Sequence, residues 1–429
     1  MEVYGRKEAP GIANDQHLLV ELTAPPVSEE GKKPGLDLVA VLDVSTSMRG
    51  HKLQNLKGAM NYVIKKLGVK DRLAIIPFAT AVEKHRFKLA HMSKDAKHKA
   101  TSFVHGLEAH VGTNIHAALE AGLKVLHDRA RKDGPLLASP MSPSTRLVSA
   151  SDHGPQVLEA IATKSLGGTY HYVRDDHGAT LTTSFSQPLA GLRSVVLLDL
   201  KLTLRRGEST IRKVEAGKYP QKKHADGSVT VEFGHLYRDE IRKVLMFLHL
   251  PAVHHDHEAT VMRAEAVYSI PGHGKITAEP REFYMYRKGR LDGYPFGHIQ
   301  RVSIEQVRHD HVSSIRKIMH AADNEELHHA RTMLAGALKA LKEFLEEHHS
   351  NEMAKSLVVE LKQFRGHMVS QHEYNMQGRA YALASISSHE RQRFTARGGV
   401  DHVRLFATPR MDKYLEQAVK FHKNPNVHI

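Results

Sequence analysis

The 429-residue chain contains no cysteine. Disulfide frameworks, thiolate zinc sites of the RING type, iron–sulfur clusters and cysteine nucleophiles are therefore excluded within it. No apolar run approaches the roughly 18 residues that signal a membrane span. The start, Met1-Glu2-Val3-Tyr4-Gly5-Arg6, lacks a basic segment followed by an apolar one, so no secretory signal is visible. These absences predict a soluble cytoplasmic or nuclear protein. Neither glycine (30) nor proline (17) is enriched, and apolar residues make up 41%, which excludes collagen-like and disordered classes and supports two or three domains with real cores.

Acidic residues are outnumbered, 47 against 61 Lys and Arg, for a net charge of +14. That charge attracts polyanions or acidic partners and fixes nothing more specific. The 33 histidines add charge on mild acidification. Most read as surface polar residues; His254-His255-Asp256-His257 and His309-Asp310-His311 offer metal ligands, but in polar, loop-like sequence without supporting partners.

The order of elements is informative. Residues 16–22 read as a strand closed by Ala24-Pro25-Pro26, and residues 36–42 as a nearly continuous apolar run of the kind found in a buried parallel strand. Leu53, Leu56, Ala59, Met60, Val63, Ile64 and Leu67 recur at three and four, predicting a helix ended by Gly68. Strands at 72–78 and 82–89, helices from Ser93 and from Gly112-Thr113-Asn114, a loop at 134–144, a short strand at 146–149, a helix at 155–164, a strand at 169–173 and a helix at 181–192 follow. Alternating strands and helices predict an α/β doubly wound, Rossmann-like sheet. From Ser194 the period becomes two, with β candidates at 196–204, 211–216, 228–233, 242–250, 259–269 and 281–286, the pattern of an antiparallel sandwich. Residues 302–322, 325–348, 353–370 and 375–393 read as helices. The expected division is a segment 1–35 whose strand joins the sandwich, an α/β domain 36–193, a β-rich sandwich 194–290, a helical region 300–395 and a C-terminal tail 396–429 with an amphipathic stretch at 411–421.

One constellation carries chemistry. Asp43-Val44-Ser45-Thr46-Ser47 stands at the carboxyl end of the first buried strand, where open α/β sheets place their ligands. A carboxylate and two hydroxyls at two-residue spacing converge there, and three hard oxygens suit Mg²⁺ or Mn²⁺. Equally, Ser45 and Ser47 would serve a helix-capping turn. A group near Gly112-Thr113-Asn114-Ile115 would extend the shell.

With its context, Leu38-Val39-Ala40-Val41-Leu42-Asp43-Val44-Ser45-Thr46-Ser47-Met48, then Asp71-Arg72-Leu73-Ala74-Ile75-Ile76-Pro77-Phe78-Ala79 and Gly112-Thr113-Asn114-Ile115, the chain resembles the von Willebrand factor A domain family. It looks most like plant proteins in which that domain precedes a β-rich and a helical segment, as the stretches Gly167-Gly168-Thr169-Tyr170 and Leu236-Tyr237-Arg238-Asp239-Glu240 are typical of them. The resemblance implies a metal-ion-dependent adhesion site in which Asp43, Ser45, Ser47 and Thr113 hold Mg²⁺ and an acidic residue of a protein partner completes the octahedron. It implies protein recognition, not catalysis, and the absence of an evident nucleophile–base motif or phosphate-binding glycine loop agrees.

The sequence departs from the family twice. A strand ending in Ser-Asp-Gly, a loop and a further strand normally precede the glycine pair; here only residues 134–152 remain. Ser151-Asp152-His153-Gly154 resembles that turn superficially, which makes Asp152 a candidate additional metal support. A strand–loop unit of on the order of 30 residues is expected to be missing beside the 36–42 strand, leaving residues 146–149 to close the gap. Secondly, some plant relatives act as ubiquitin ligases through a RING domain, which a chain without cysteine cannot form; an adaptor or non-catalytic role is the alternative. A divalent-metal hydrolase built on Asp43, Asp152 and nearby His lacks one more convergent ligand. Nucleic-acid binding rests only on charge and on Phe283-Tyr284-Met285-Tyr286-Arg287-Lys288, which strand alternation explains more cheaply.

Overall fold

The computed structural model describes residues 1–24, 35–82, 86–132, 155–164, 166–173, 178–270, 273–289, 299–398 and 403–427. Three strands open the chain, β1 (Glu2–Tyr4), β2 (Glu8–Pro10) and β3 (Asn14–Thr23), and all three join sheets completed far downstream. The α/β unit begins with β4 (Asp37–Asp43). Its crossover helix α1 (His51–Lys66) leads to β5 (Arg72–Phe78), which pairs in parallel with β4 from Asp37 opposite Arg72 to Asp43 opposite Phe78. A bidentate contact from Arg72 to the Asp37 carboxylate, 2.7 and 2.9 Å, clamps the strand starts. The stripe Leu53, Leu56, Met60, Val63 and Ile64 of α1 packs with Leu73 and Ile75 of β5. β6 (Phe87–His91) adds antiparallel to β5, beginning later than the sequence suggests. α2 (Lys94–His105) is capped by the Ser93 hydroxyl, and α3 (Ile115–Lys132) lies on β4 with Gly122 against Val41.

Among the described residues this sheet holds three strands in the order β4-β5-β6, so β4 is an edge. Leu38, Val39, Ala40 and Val41 are accordingly half-buried, whereas residues 73–76 of β5 are buried. The 146–149 strand expected to close this gap lies outside the described residues. After α4 (Pro155–Lys164), the strand expected at 169–173 shrinks to β7 (Tyr172–Val173). It pairs not with β4 but with Arg397–Gly398 near the C-terminus. α5 (Gly178–Leu192) then packs on α1.

The sandwich consists of β8 (Val195–Arg206), β9 (Thr210–Glu215), β10 (Gln221–Lys223), β11 (Val229–Tyr237), β12 (Ile241–Leu250), β13 (His257–Ile270), β14 (Gly274–Thr277) and β15 (Arg281–Lys288), together with the three opening strands. One sheet runs β1-β3-β12-β9; the other runs β10-β11-β8-β13-β15-β2, with β14 on β13. Val20, Leu22, Val244 and Met246 of the first face Leu202, Leu204, Val231 and Phe233 of the second in one core. The strict alternation expected along β8 breaks at Asp199, whose φ of +56° accompanies a register shift against β13; Leu197 is buried as a result, and Leu198 is not.

The helical region contains α6 (Gln300–Asp323), α7 (Leu327–Glu347), α8 (Glu352–Gly366), the single turn α9 (Gln371–Glu373) and, after a wide turn at Tyr374–Gly378, α10 (Arg379–Arg391). The short β16 (Arg397–Gly398) pairs with β7, and α11 (Pro409–Lys423) returns to the α/β unit. There Met411 and Tyr414 enter the same core as Leu53 and Ile75, and Phe421 meets Tyr62 edge-on at 5.5 Å between ring centres.

Candidate metal-binding apex

At the carboxyl end of β4 the chain turns sharply. Oδ1 of Asp43 accepts the Ser45 backbone N–H at 2.8 Å, closing a local loop that folds Ser45 and Ser47 toward each other, and their hydroxyls lie 2.9 Å apart. Asp43 is half-buried, Ser45 buried and Ser47 exposed, so the cluster grades from strand to solvent.

Thr113 stands on a neighbouring loop that is stitched to this one through main-chain bonds. His110 N–H donates to Val44 C=O at 2.8 Å, the Thr46 hydroxyl to His110 C=O at 3.1 Å, Thr80 N–H to Val111 C=O at 3.1 Å, and Asn114 N–H to Ala79 C=O at 2.6 Å. Gly112 makes the turn possible: its φ is +82°, and a Cβ there would lie 2.2 Å from the Thr80 hydroxyl oxygen. Asn114 caps α3 by accepting from Ala117 N–H at 3.0 Å, which leaves the exposed Thr113 at the helix start. Asp43, Ser45 and Ser47 are thus drawn together by hydrogen bonds, and Thr113 occupies the adjoining loop. Asp152, the additional candidate, lies outside the described residues.

The donor set fits a hard cation. It is all oxygen, and two ligands at about 2.1 Å from one Mg²⁺ on adjacent octahedral corners are about 3.0 Å apart, close to the separation of the two serine hydroxyls. Asp43 would supply the only negative charge, Ser45, Ser47 and Thr113 neutral oxygens.

The histidine runs do not converge. His257 Nε2 meets Glu208 Oε2 at 2.8 Å, while Asp256 instead accepts Gly289 N–H at 2.7 Å. His309 and His311 point to different carboxylates, Glu305 and Glu360. Among the described residues the one group of His, Asp and Glu close enough to share an ion is His311, Glu360 and His389, all buried. The carboxylate at its centre is already engaged from several sides, while His311 Nδ1 and His389 Nδ1 are buried without a hydrogen-bond partner. Glu360 accepts His311 Nε2 at 2.6 Å, His389 Nε2 at 2.8 Å, the Ser385 hydroxyl at 2.7 Å and Arg397 Nε at 3.0 Å. Burial alone would raise its pKa, but His389 and Arg397 hold it well below the usual carboxylate range. The Arg397 guanidinium opposes a second cation at that carboxylate.

A second buried network was invisible in the sequence. Glu240 accepts Tyr237 N–H at 2.9 Å, Arg242 at 2.8 Å and both Nε and a terminal nitrogen of Arg393 at 2.7 and 2.8 Å. Burial raises its pKa, and the two guanidiniums overcome that, bringing it down to about 2. The left-handed Gln392 adds an amide that donates to Lys243 C=O and accepts Lys243 N–H, both at 2.7 Å, in the manner of a peptide group. This seam explains the stretch 236–240 physically: it is where the sandwich meets the end of the helical region. A cheap signal existed in the density of buried-capable Arg in Arg391-Gln392-Arg393, but not in its partner.

A family model described as von Willebrand factor type A domain matches residues 38–137, and another, described as VWA / Hh protein intein-like, matches residues 351–420. The E3 ubiquitin-protein ligase WAV3 of Arabidopsis thaliana is 28% identical over 266 residues, 57% of this chain and 34% of that protein. The inter-alpha-trypsin inhibitor heavy chain H4 of Homo sapiens is 33% identical over 90 residues, 21% of this chain and 10% of that one. The chain therefore spans about a third or less of these relatives' length. A solved von Willebrand factor type A protein from Catenulispora acidiphila superposes over 90% of this chain and 95% of its own, with a TM-score of 0.65 at 17% identity. The ArnB paralog VWA2 from Sulfolobus acidocaldarius does so over 91% and 97%, with a TM-score of 0.52 at 13% identity. The chain carries a von Willebrand factor type A domain, and its likeness to plant proteins extends beyond that domain. Among the described residues no helix is long and apolar enough to cross a membrane.

Proposed function

We propose that this von Willebrand factor type A domain is a non-enzymatic protein-recognition module, and that Asp43, Ser45, Ser47 and Thr113 hold Mg²⁺ and through it an acidic side chain of a protein partner. The observation that carries the reading is the pair of serine hydroxyls 2.9 Å apart beside Asp43, on a loop locked to the Thr113 loop by main-chain bonds. Such an apex is preorganised: the chain spends no ordering entropy when a ligand arrives. The bound ion would supply a Lewis-acidic corner open to a carboxylate. Ser47 and Thr113, both exposed, would define the rim that the partner meets.

Around this module the working division of the chain is 1–35, 36–193, 194–290, 300–395 and 396–429, with the sandwich and helical regions as further interaction surface. The partner-binding role fits a cytoplasmic or nuclear setting. WAV3 is a ubiquitin ligase by name; the corresponding reading is that these 429 cysteine-free residues recognise a protein, as an adaptor does, and themselves form no thiolate zinc site for ligation.

The test is a thermal melt with and without millimolar Mg²⁺, on the parent chain and on Asp43→Ala. An ion that binds only the native state raises the midpoint. An upward shift in the parent that is lost in the variant supports the reading. A cooperative parent melt indifferent to Mg²⁺ and Mn²⁺ overturns the metal-bridged form and leaves a metal-free interaction module.

A further inference from the structure

The far end of α1 presents a different chemistry. α1 runs sixteen residues from His51 to Lys66, about 24 Å at 1.5 Å per residue, so Lys66 lies well away from the Asp43 apex. Cations from three elements meet there. Lys66 Nζ donates to Gln417 Oε1 at 2.6 Å and sits 4.8 Å from the Tyr414 ring centre. From α11, the Arg410 guanidinium lies 5.6 Å from the same ring. Arg193, after α5, donates to the Tyr414 hydroxyl at 3.2 Å and to the Lys66 carbonyl. Lys413, exposed on α11, adds a fourth charge.

Helix-end electrostatics account for part of this gathering. The carboxyl end of α1 attracts cations, and Lys97 and Arg193 donate to its Lys65 and Lys66 carbonyls. That leaves the Lys66 amine, Arg410 and Lys413 unexplained. Arg410 Nε is buried without a hydrogen-bond partner, which is costly if nothing ever fills it. The nearby carboxylate, Asp71, is engaged by Leu36 N–H at 2.9 Å, Gly68 N–H at 2.6 Å and Arg193 Nε at 3.5 Å. Burial and the repulsion of Arg193, Lys413 and Arg410 together push the Lys66 amine down to about 8. Like charges crowded at this density are the mark of a site that awaits a counter-charge.

We propose that Lys66, Arg193, Arg410 and Lys413 form a binding site for an anion carrying two adjacent phosphate groups. Together with Lys97, which lies near Arg193 and Asp71, these are five cations against Asp71, a surplus of four charges. One phosphate monoester carries about −1.5 to −2 at pH 7, so two vicinal groups match the surplus and one does not. Guanidiniums supply forked donors for phosphate oxygens, and the ammonium groups supply point charges beside them. The shared chemistry is a bisphosphate, free in solution or displayed on a lipid headgroup.

Isothermal titration of the full chain with pyrophosphate at fixed ionic strength tests it, with sulfate as the non-specific control. The expected result is affinity at least tenfold above sulfate, falling at least tenfold in Lys66→Gln and in Arg410→Gln and unchanged in the remote Lys339→Gln. Thermal melts confirm that the variants fold. As a readout independent of stability, the pKa of the Lys66 amine, followed by NMR of the ¹³C-methylated protein, rises on pyrophosphate addition. Vesicles bearing a bisphosphorylated inositol headgroup separate the sources: binding that Lys66→Gln abolishes assigns the lipid, and pyrophosphate binding without vesicle binding assigns a free ligand. Pyrophosphate bound no more tightly than sulfate, or equally well by Lys66→Gln, overturns the proposal.

Discussion

Two polar regions of the molecule are built on opposite terms. At the Asp43 apex, the side chains of Asp43, Ser45 and Ser47 come from one five-residue loop, grade from the buried Ser45 to the exposed Ser47, and leave two hydroxyls beside a carboxylate. In the seam around Glu240 and Arg393, the partners stand 153 positions apart, are buried, and pair charge with charge, with Arg242 Nε alone of the Glu240–Arg242–Arg393 donors lacking a hydrogen-bond partner. The difference teaches what each is for. A locally held cluster open on one side is free to meet a ligand, whereas buried charges offset their desolvation by pairing with one another. The seam sets how the sandwich and helical region meet; the apex is where the proposed recognition would take place.

The contrast can be broken most forcefully at Glu240. Glu240→Ala leaves Arg242 and Arg393 buried without their carboxylate, and the expected loss is about 3–5 kcal/mol in urea unfolding. A loss below about 1 kcal/mol would mean that the seam is as permissive as the surface. A smaller effect is expected from His171, buried beside the β7–β16 pair. Its Nδ1 accepts Ala396 N–H at 3.0 Å and its Nε2 pairs with the Thr169 hydroxyl at 3.0 Å. Burial, aided by Arg397, pushes its pKa down to about 3. The unfolded chain takes a proton below about pH 6.5 that the native chain refuses, so stability declines on acidification from 6.5 toward 3, by about 1.4 kcal/mol per pH unit. His171→Gln should remove one proton's worth of that slope, read as the difference between parent and variant unfolding free energies at pH 7 and pH 5; parallel pH profiles would show the ring to be charged in the native state. Smallest of all, Asp43→Ala without metal removes one half-exposed acceptor for Ser45 N–H and should cost about 1 kcal/mol. A cost as large as that of Glu240→Ala would make Asp43 a structural residue.

What could be read from the sequence follows the same division. The parallel pair β4 and β5, the α1 stripe and the long helices α6 and α7 were visible because their periods are local, and so was the convergence of Asp43, Ser45 and Ser47, set by two-residue spacing. The Glu240–Arg393 and Glu360–His311–His389 contacts were not, since they join elements whose packing no local period encodes. His311 had been noticed only as part of an exposed-looking run, yet it is buried because it falls on the inner stripe of α6 with Val312 and Ile315. At Asp199 a single left-handed residue moved the β8 pattern by one place, a shift that alternation cannot foresee.

The return of α11 to the first unit has a consequence for how the protein is made. The Tyr62 hydroxyl donates to Tyr414 C=O across 352 positions. At about 5–20 residues per second of synthesis, roughly 20 to 70 s pass between the emergence of one partner and the other. For all that time the apex-bearing unit lacks the side chains of Met411, Tyr414 and Phe421 that seal its flank. The α/β unit, begun at β4, is thus completed only after the sandwich and the helical region have been made, and its flank stays open through their synthesis.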